Sequence, residues 1–274
     1  MKIETVHLKE YYPQLGADGK DPVLICYLPD NLREMGWEKK RHKAMVVCPG
    51  GGYSMVSQRE AEPIALKLLA MDFYVFVLIY SVVPHAFPAQ IREVAASFDI
   101  IHSHADEWNI DTARIGIMGF SAGAHLAAHY STAYNCAEVA EIFPDAKAPF
   151  ATVLGYPVVS PDTAHTGSFT NLLGKGKTLS DAAAFDVSKL VSDGTPKAFI
   201  WHTAADPVVP VVNSLMYAQA LAEHNVPFEM HIFPEGYHGL STSDGMTCDR
   251  DAPAESYVSR WLLEFAKWCE VHFT

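Results

Sequence analysis

Arg114–Tyr130, RIGIMGFSAGAHLAAHY, carries the reading of this chain. An apolar run, RIGIM, is followed by Gly119-Phe120-Ser121-Ala122-Gly123 and then by AHLAAHY, a helix-forming stretch. The order strand, G-x-S-x-G, helix describes a sharp turn that lifts a serine hydroxyl clear of a sheet. Such a turn holds its serine in a strained backbone conformation and needs small neighbours, which Gly119 and Gly123 supply. The amide of Ala122 then falls at a helix N-terminus, where N–H groups and the dipole favour developing negative charge. A glycine-rich turn whose serine only caps the helix is the plainer alternative. The strand before it and the helix after it favour Ser121 as a nucleophile.

Working outward, short β-branched or aromatic runs alternate with longer amphipathic stretches, as in a parallel sheet wrapped by helices. The pattern predicts strands at 23–28, 43–48, 73–80, 114–118, 151–155, 197–202 and 228–233. It predicts helices at 58–70, 88–108, 121–133 and 211–224, and a last one over 253–273. In that last helix Ala254, Tyr257, Val258, Trp261, Leu262, Phe265 and Trp268 recur at three- and four-residue steps, so one stripe faces the core. Between Gly155 and Lys197 the rhythm breaks into a segment rich in Ser, Thr, Gly and Asp. Long segments of this kind inside a compact domain are usually lids or binding elements. We therefore expect one domain over residues 1–274, with 156–196 as a small insertion over the site.

Composition excludes several classes. Hydrophobic residues make up 49% of the 274 and charged residues 19%, enough apolar material for a covered sheet. The net charge of -12 opposes binding to nucleic acid or to an anionic membrane surface. The longest strongly apolar stretch, Phe73 to Tyr80, is too short to cross a bilayer and suits a buried strand. The beginning, MKIETVHLKEYYPQLG, lacks the apolar core of a secretory signal. Five scattered cysteines without a C-x-x-C pair indicate neither a disulfide framework nor a zinc knuckle, and a cytoplasmic setting is expected.

A serine hydroxyl is a weak nucleophile until an imidazole takes its proton and a carboxylate fixes that imidazole's tautomer. On a sheet with this turn the partners follow later in the chain, acid before base. KAFIWHTAADPVVP reads as a buried strand running into a loop with Asp206, the expected acid. FEMHIFPEGYHGL reads as the last strand followed by a glycine-flanked loop with His238, the expected base. Taken singly, Asp206 also reads as a helix-capping loop residue and His238 as an exposed loop imidazole. Pro49-Gly50-Gly51-Gly52-Tyr53 follows an upstream strand. Bare amides there, from Gly51 and Gly52, join Ala122 as expected oxyanion donors. A flexible turn or a phosphate loop is the alternative, though no G-K-[ST] follows the glycines.

Other residues carry weaker signals. His125 reads as a packing residue one turn beyond Ser121, His202 as a support for the acid loop, and His85 as an entrance residue. The run His102-Ser103-His104-Ala105-Asp106 has the letters of a metallohydrolase motif, but residues two apart on a helix face different ways. No metal and no organic cofactor is expected. Tyr53, Tyr156, Tyr237 and Trp201 adjoin the motifs; flat walls for a sugar ring and ordinary core packing both fit them, the second being the commoner fate.

Together these motifs resemble the α/β-hydrolase fold, and within it the acetyl esterase and acetylxylan esterase-like carboxylesterases related to hormone-sensitive lipase. PGGGY resembles that group's oxyanion loop, YSVVPHAFPAQIREV its Y-x-x-x-P segment with F-P-A, and NIDTARIGIMGFSAGAHLAA its nucleophile region. WHTAADPVVP and YHGL resemble its acid and base loops. Pro49 stands where many of the group have histidine, and Ala124 where glycine is common. The resemblance implies a mostly parallel sheet flanked by helices, with a small lid after its sixth strand. It implies hydrolysis of short-chain, acetyl-type esters, with a lean to sugar or xylan esters from the proline. A small-molecule ester is then the expected partner. Amide or small-peptide cleavage by the same three residues, and a non-catalytic binding protein on the same fold, are the other readings.

Overall fold

The computed structural model describes residues 1–163, 165–178, 180–247 and 257–273. Among them runs one eight-stranded sheet: β1 (Lys2–His7), β2 (Val23–Leu28), β3 (His42–Cys48), β4 (Phe73–Ile79), β5 (Ile110–Phe120), β6 (Thr152–Gly155), β7 (Ala198–Thr203) and β8 (Phe228–Phe233). The spatial order is β1-β2-β4-β3-β5-β6-β7-β8. β2 is antiparallel to both β1 and β4, and every pair from β4 onward is parallel.

The apolar runs explain the layering. β4 reads FYVFVLI and is buried over six of its seven residues, as a strand covered on both faces must be. One face packs on the helices Ala89–Ser103, Ala122–Ala133 and Val212–Glu223, through Ile91, Ala127 and Leu221 among others. The other packs on the helices Glu62–Leu69 and Trp261–His272, through Ile64, Leu68, Trp261 and Phe265. Parallel strands all point their C-terminal ends the same way, so the loops after β3, β5, β7 and β8 meet along one edge.

The sequence pattern finds seven of these strands and misses β1. KIETVH buries only Val6 and pairs with β2 as the outermost strand, so its alternation is too weak to read. The helix expected from residue 58 opens as a 3-10 turn, Gln58–Glu60, before the α-helix starts at Glu62. Pro63 in the first turn has no N–H to give and suits a helix start better than its interior. The helix expected over 88–108 spans Ala89–Ser103. Of the expected stripe, Trp261, Leu262, Phe265 and Trp268 are buried in the last helix, Trp261–His272, and Val258 is buried just before it, whereas Tyr257, also before it, is exposed, its ring edge-on to Phe233. Pro253 and Ala254 lie outside the described residues, as does Cys248. Within 156–196 the chain forms a helix, Thr166–Leu173, and 3-10 turns at Asp181–Phe185 and Val187–Leu190.

Candidate active site

Where β5 meets the helix Ala122–Ala133, Ser121 has φ 53° and ψ -121°, a region that non-glycine residues rarely enter. Its amide donates to Gly155 O at 3.0 Å, and its carbonyl accepts from Ala124, His125 and Val158, so the strained residue is held from several sides. The flanking glycines are sterically required. A Cβ on Gly119 would stand 2.2 Å from Gly123 O, and one on Gly123 would stand 2.1 Å from Cys48 O. The G-x-S-x-G pattern is thus the local signature of a helix packed against the end of β3.

Three distant side chains meet at this turn. Ser121 Oγ lies 2.8 Å from His238 Nε2, and His238 Nδ1 lies 2.7 Å from Asp206 Oδ2. Asp206 Oδ1 accepts from the amides of Val208 and Val209, at 2.8 and 2.9 Å. Burial by itself raises the Asp206 pKa, but hydrogen bonds from His202 and His238 and from the Val209 amide outweigh it. The carboxyl is held well below the usual carboxylate range, so it only accepts. His238 Nδ1 must therefore carry the proton, which leaves Nε2 as the acceptor for the Ser121 hydroxyl.

His202, fully buried on β7, supports the acid from below. Its Nε2 lies 3.0 Å from Val209 O and 3.4 Å from Asp206 Oδ2, both acceptors, so Nε2 is protonated. The Ser214 hydroxyl then donates to Nδ1 at 2.8 Å.

The glycine loop after β3 lies against the same turn. Gly50 N–H donates to Glu60 Oε2 at 2.8 Å. Gly51 and Gly52, with φ of 129° and 63°, border the cavity that holds Ser121. Ala122 opens its helix, where the first amides have no intrahelical acceptor. Glu60 is 2% exposed and ties the loops together. Its Oε1 accepts from Tyr156 OH at 2.6 Å, and that hydroxyl in turn accepts from Ser241 N at 3.0 Å, in the loop that carries His238. Asn171 Nδ2, on the helix Thr166–Leu173, donates to Gly52 O at 2.8 Å. Sequence reading does not single out Glu60 or Asn171: a carboxylate ten residues past a glycine loop, or an amide on a short helix, has no pattern of its own.

The cavity measures about 410 Å³ and is bordered by Arg59, Glu60, His165, Ser168 and Asn171 as well as by Ser121 and His238. The His165 ring lies roughly parallel to His238, centroids 6.4 Å apart, and its Nδ1 meets Ser168 Oγ at 2.9 Å. Burial, and then the neighbouring His238, push the His165 pKa down. Tyr53, His85, Tyr156 and Tyr237, expected from sequence to line the substrate site, do not border this cavity. Tyr53 is buried because its hydroxyl donates to His125 Nδ1 at 2.8 Å, while His125 Nε2 donates to Phe185 O at 2.8 Å. Tyr156 turns inward to Glu60. His85 borders a different surface cleft with Ser81 and Val83, and Tyr237 is exposed. Trp201 is fully buried and stacks on Trp261 at 4.9 Å. Both buried tyrosines found interior polar partners, which is how a phenol is accommodated in a core.

Among the described residues no group of three His, Cys, Asp or Glu side chains is placed to hold a metal ion. No helix among them is long and apolar enough to cross a membrane.

Residues 31–221 match the BD-FAE family model. Over 253 residues the chain is 35% identical to the endo-1,4-beta-xylanase B of Butyrivibrio fibrisolvens, covering 88% of this chain and 38% of that one. Over 247 residues it is 31% identical to the acetylxylan esterase of Xylanibacter ruminicola, covering 88% and 48%. The chain thus spans about half or less of the length of these curated relatives. Among solved structures, an acetyl ester-xyloside bifunctional hydrolase from Caldicellulosiruptor lactoaceticus superposes with a TM-score of 0.83 at 35% identity, covering 98% of this chain and 96% of that one. The carboxylesterase Cest-2923 of Lactobacillus plantarum gives 0.85 at 26% identity, covering 99% and 98%. The fold is the α/β-hydrolase fold, with the expected mostly parallel sheet between helical layers.

Proposed function

The chain belongs to the BD-FAE family, and from that premise we propose that it is a serine carboxylesterase acting on short-chain, acetyl-type esters of sugars or xylan fragments. In this reading residues 1–274 form one domain and 156–196 its lid.

The observation that carries the reading is the hydrogen-bonded series Ser121, His238, Asp206, opening into a cavity beside the Gly51-Gly52 loop. Ser121 Oγ attacks the ester carbonyl while His238 Nε2 takes its proton, and Asp206 stabilises the imidazolium formed. The tetrahedral oxyanion is held by the amides of Gly51, Gly52 and Ala122. His238 then returns the proton to the leaving alcohol oxygen, the C–O bond breaks, and an acyl-Ser121 intermediate remains. Water deprotonated by the same imidazole attacks this acyl group and frees the acid. The lean to sugar esters is supported by a cavity border rich in hydroxyl, amide and guanidinium groups, with Met55 as its long apolar side chain. The acetylxylan esterase relative points the same way.

Ser121→Ala is expected to lower kcat on p-nitrophenyl acetate by about 10³ to 10⁶, with the thermal midpoint little changed. Near-normal turnover by that variant would overturn the assignment. A panel of acyl lengths including acetylated sugars tests the substrate: preference for long chains would remove the acetyl lean.

A further inference from the structure

Among the described residues one cationic side chain, Arg59, borders the cavity, and it forms no ion pair there. Among the described residues no carboxylate, carbonyl or hydroxyl oxygen bonds the Arg59 guanidinium. The carboxylate beside it in sequence, Glu60, also borders the cavity but is already occupied by the Gly50 amide and the Tyr156 hydroxyl. Arg59 is exposed, so its guanidinium is within reach of a ligand in the cavity. A guanidinium offers five N–H donors in a planar fork that matches a carboxylate.

The position of Arg59 is set by the fold. Its backbone oxygen accepts from Ser241 Oγ, which anchors it to the loop that carries His238. Its side chain lies over Gly239: a Cβ there would fall 2.6 Å from Nη2 and 3.2 Å from Cζ. Gly239 has φ 80°, so this position both needs glycine for its backbone and leaves the guanidinium room beside His238. The imidazole must protonate the leaving oxygen, and so the alcohol half of an ester sits on the imidazole's side of Ser121. Arg59 stands on that side.

We propose that Arg59 forms an anion subsite for the alcohol half of the substrate, so that the favoured ester is one whose sugar carries a carboxylate, as a uronate does. This rests on the esterase reading above and narrows it. The carboxylate accepts from the guanidinium fork, while Ser54, Ser57, Ser168 and Asn171 border the space left for neutral hydroxyls.

The test compares kcat/KM for two matched pairs in the full chain. One pair is a monoacetylated methyl glucoside and the corresponding methyl glucuronoside; the other is 4-nitrophenyl butyrate and 4-nitrophenyl hemiglutarate, which places the charge on the acyl half. The native chain is expected to favour the glucuronoside about tenfold, the discrimination one charge-assisted hydrogen bond supports. That preference should shrink at high salt, persist in part in Arg59→Lys and vanish in Arg59→Gln, with no matching preference in the acyl pair. Equal rates on the first pair in the native chain overturn the subsite alone, because the neutral ester is still cleaved. A preference that survives Arg59→Gln, or one confined to the acyl pair, also overturns it. Failure to cleave any of the four esters overturns both the subsite and the esterase reading.

Discussion

Asp206 and Glu93 are both carboxyl groups sealed from water, with 7% and 0% of their surface exposed, yet the fold pushes them in opposite directions. Burial is the first influence on each and favours the neutral form. In the loop after β7 that influence is overcome: Asp206 accepts from two backbone amides and from His238, with His202 close by. On the helix Ala89–Ser103, Glu93 has only the amide and hydroxyl of Ser81, at 2.7 and 2.5 Å, and burial pushes its pKa up to about 7. Both are buried, Glu93 the more deeply, and the donors around Asp206 outweigh that burial whereas those around Glu93 do not. Asp206 meets an imidazole and two amides, whereas Glu93 meets one amide and one hydroxyl.

The largest test of this contrast is Asp206→Asn, which keeps the shape and removes the charge. It is expected to lower kcat on p-nitrophenyl acetate by about 10⁴, because His238 loses the partner that fixes its tautomer. A loss under tenfold would erase the functional side of the contrast. The Asp206 contribution to stability is present above its unfolded value of about 3.9. It declines steadily as pH falls below that value and is gone only at its much lower folded value.

Glu93 works with the reverse sign. Its folded pKa lies above the ordinary 4.5, so the folded state binds its proton more tightly than the unfolded state does. Stability should fall as pH rises from about 4.5 to about 7, by up to about 3 kcal/mol, and then level off. Glu93→Gln carries no such proton, and urea unfolding of both proteins at pH 5 and pH 8 reads the difference. The same pH slope in both would mean that the native carboxyl is not raised.

Smallest is Ser214→Ala, which takes the donor from His202 Nδ1 while leaving the Asp206 side of that ring in place. It should cost about 1 kcal/mol, or about 2–4 °C in the thermal midpoint, with kcat within a few-fold of native. A loss as large as that of Asp206→Asn would make His202 an equal partner of His238 instead of a support.

The two acids also differ in how legible they are. Asp206 follows an apolar strand, in a loop, between a serine turn and a later histidine, and that order can be read. Glu93 sits within a helical pattern where a carboxylate ordinarily faces solvent; its hydrogen-bond partner in the interior is Ser81, twelve residues earlier. Glu60 hides for a related reason, since its partners are Gly50, in the loop before it, and Tyr156, ninety-six residues away. β1 is hard to read because only Val6 of its six residues is buried.

The aromatic residues show the same boundary. Tyr53 and Tyr156 stand beside the right motifs, but adjacency in sequence does not set where a ring points. Each turned toward a buried acceptor, His125 or Glu60, and the cavity border was left to Arg59, His165, Ser168 and Asn171.

By itself the sequence determined the alternation of buried strands and helices, the turn at Ser121 and the order of the residues expected to work with it. Those features are written in short-range sterics: two glycines that leave no room for a Cβ, and apolar runs that must be covered. Tertiary structure alone decided that Ser121, His238 and Asp206 meet within hydrogen-bond reach, which carboxyls are charged, and what borders the cavity. These depend on donors and packing contributed by segments far apart along the chain, and no local pattern fixes such contacts.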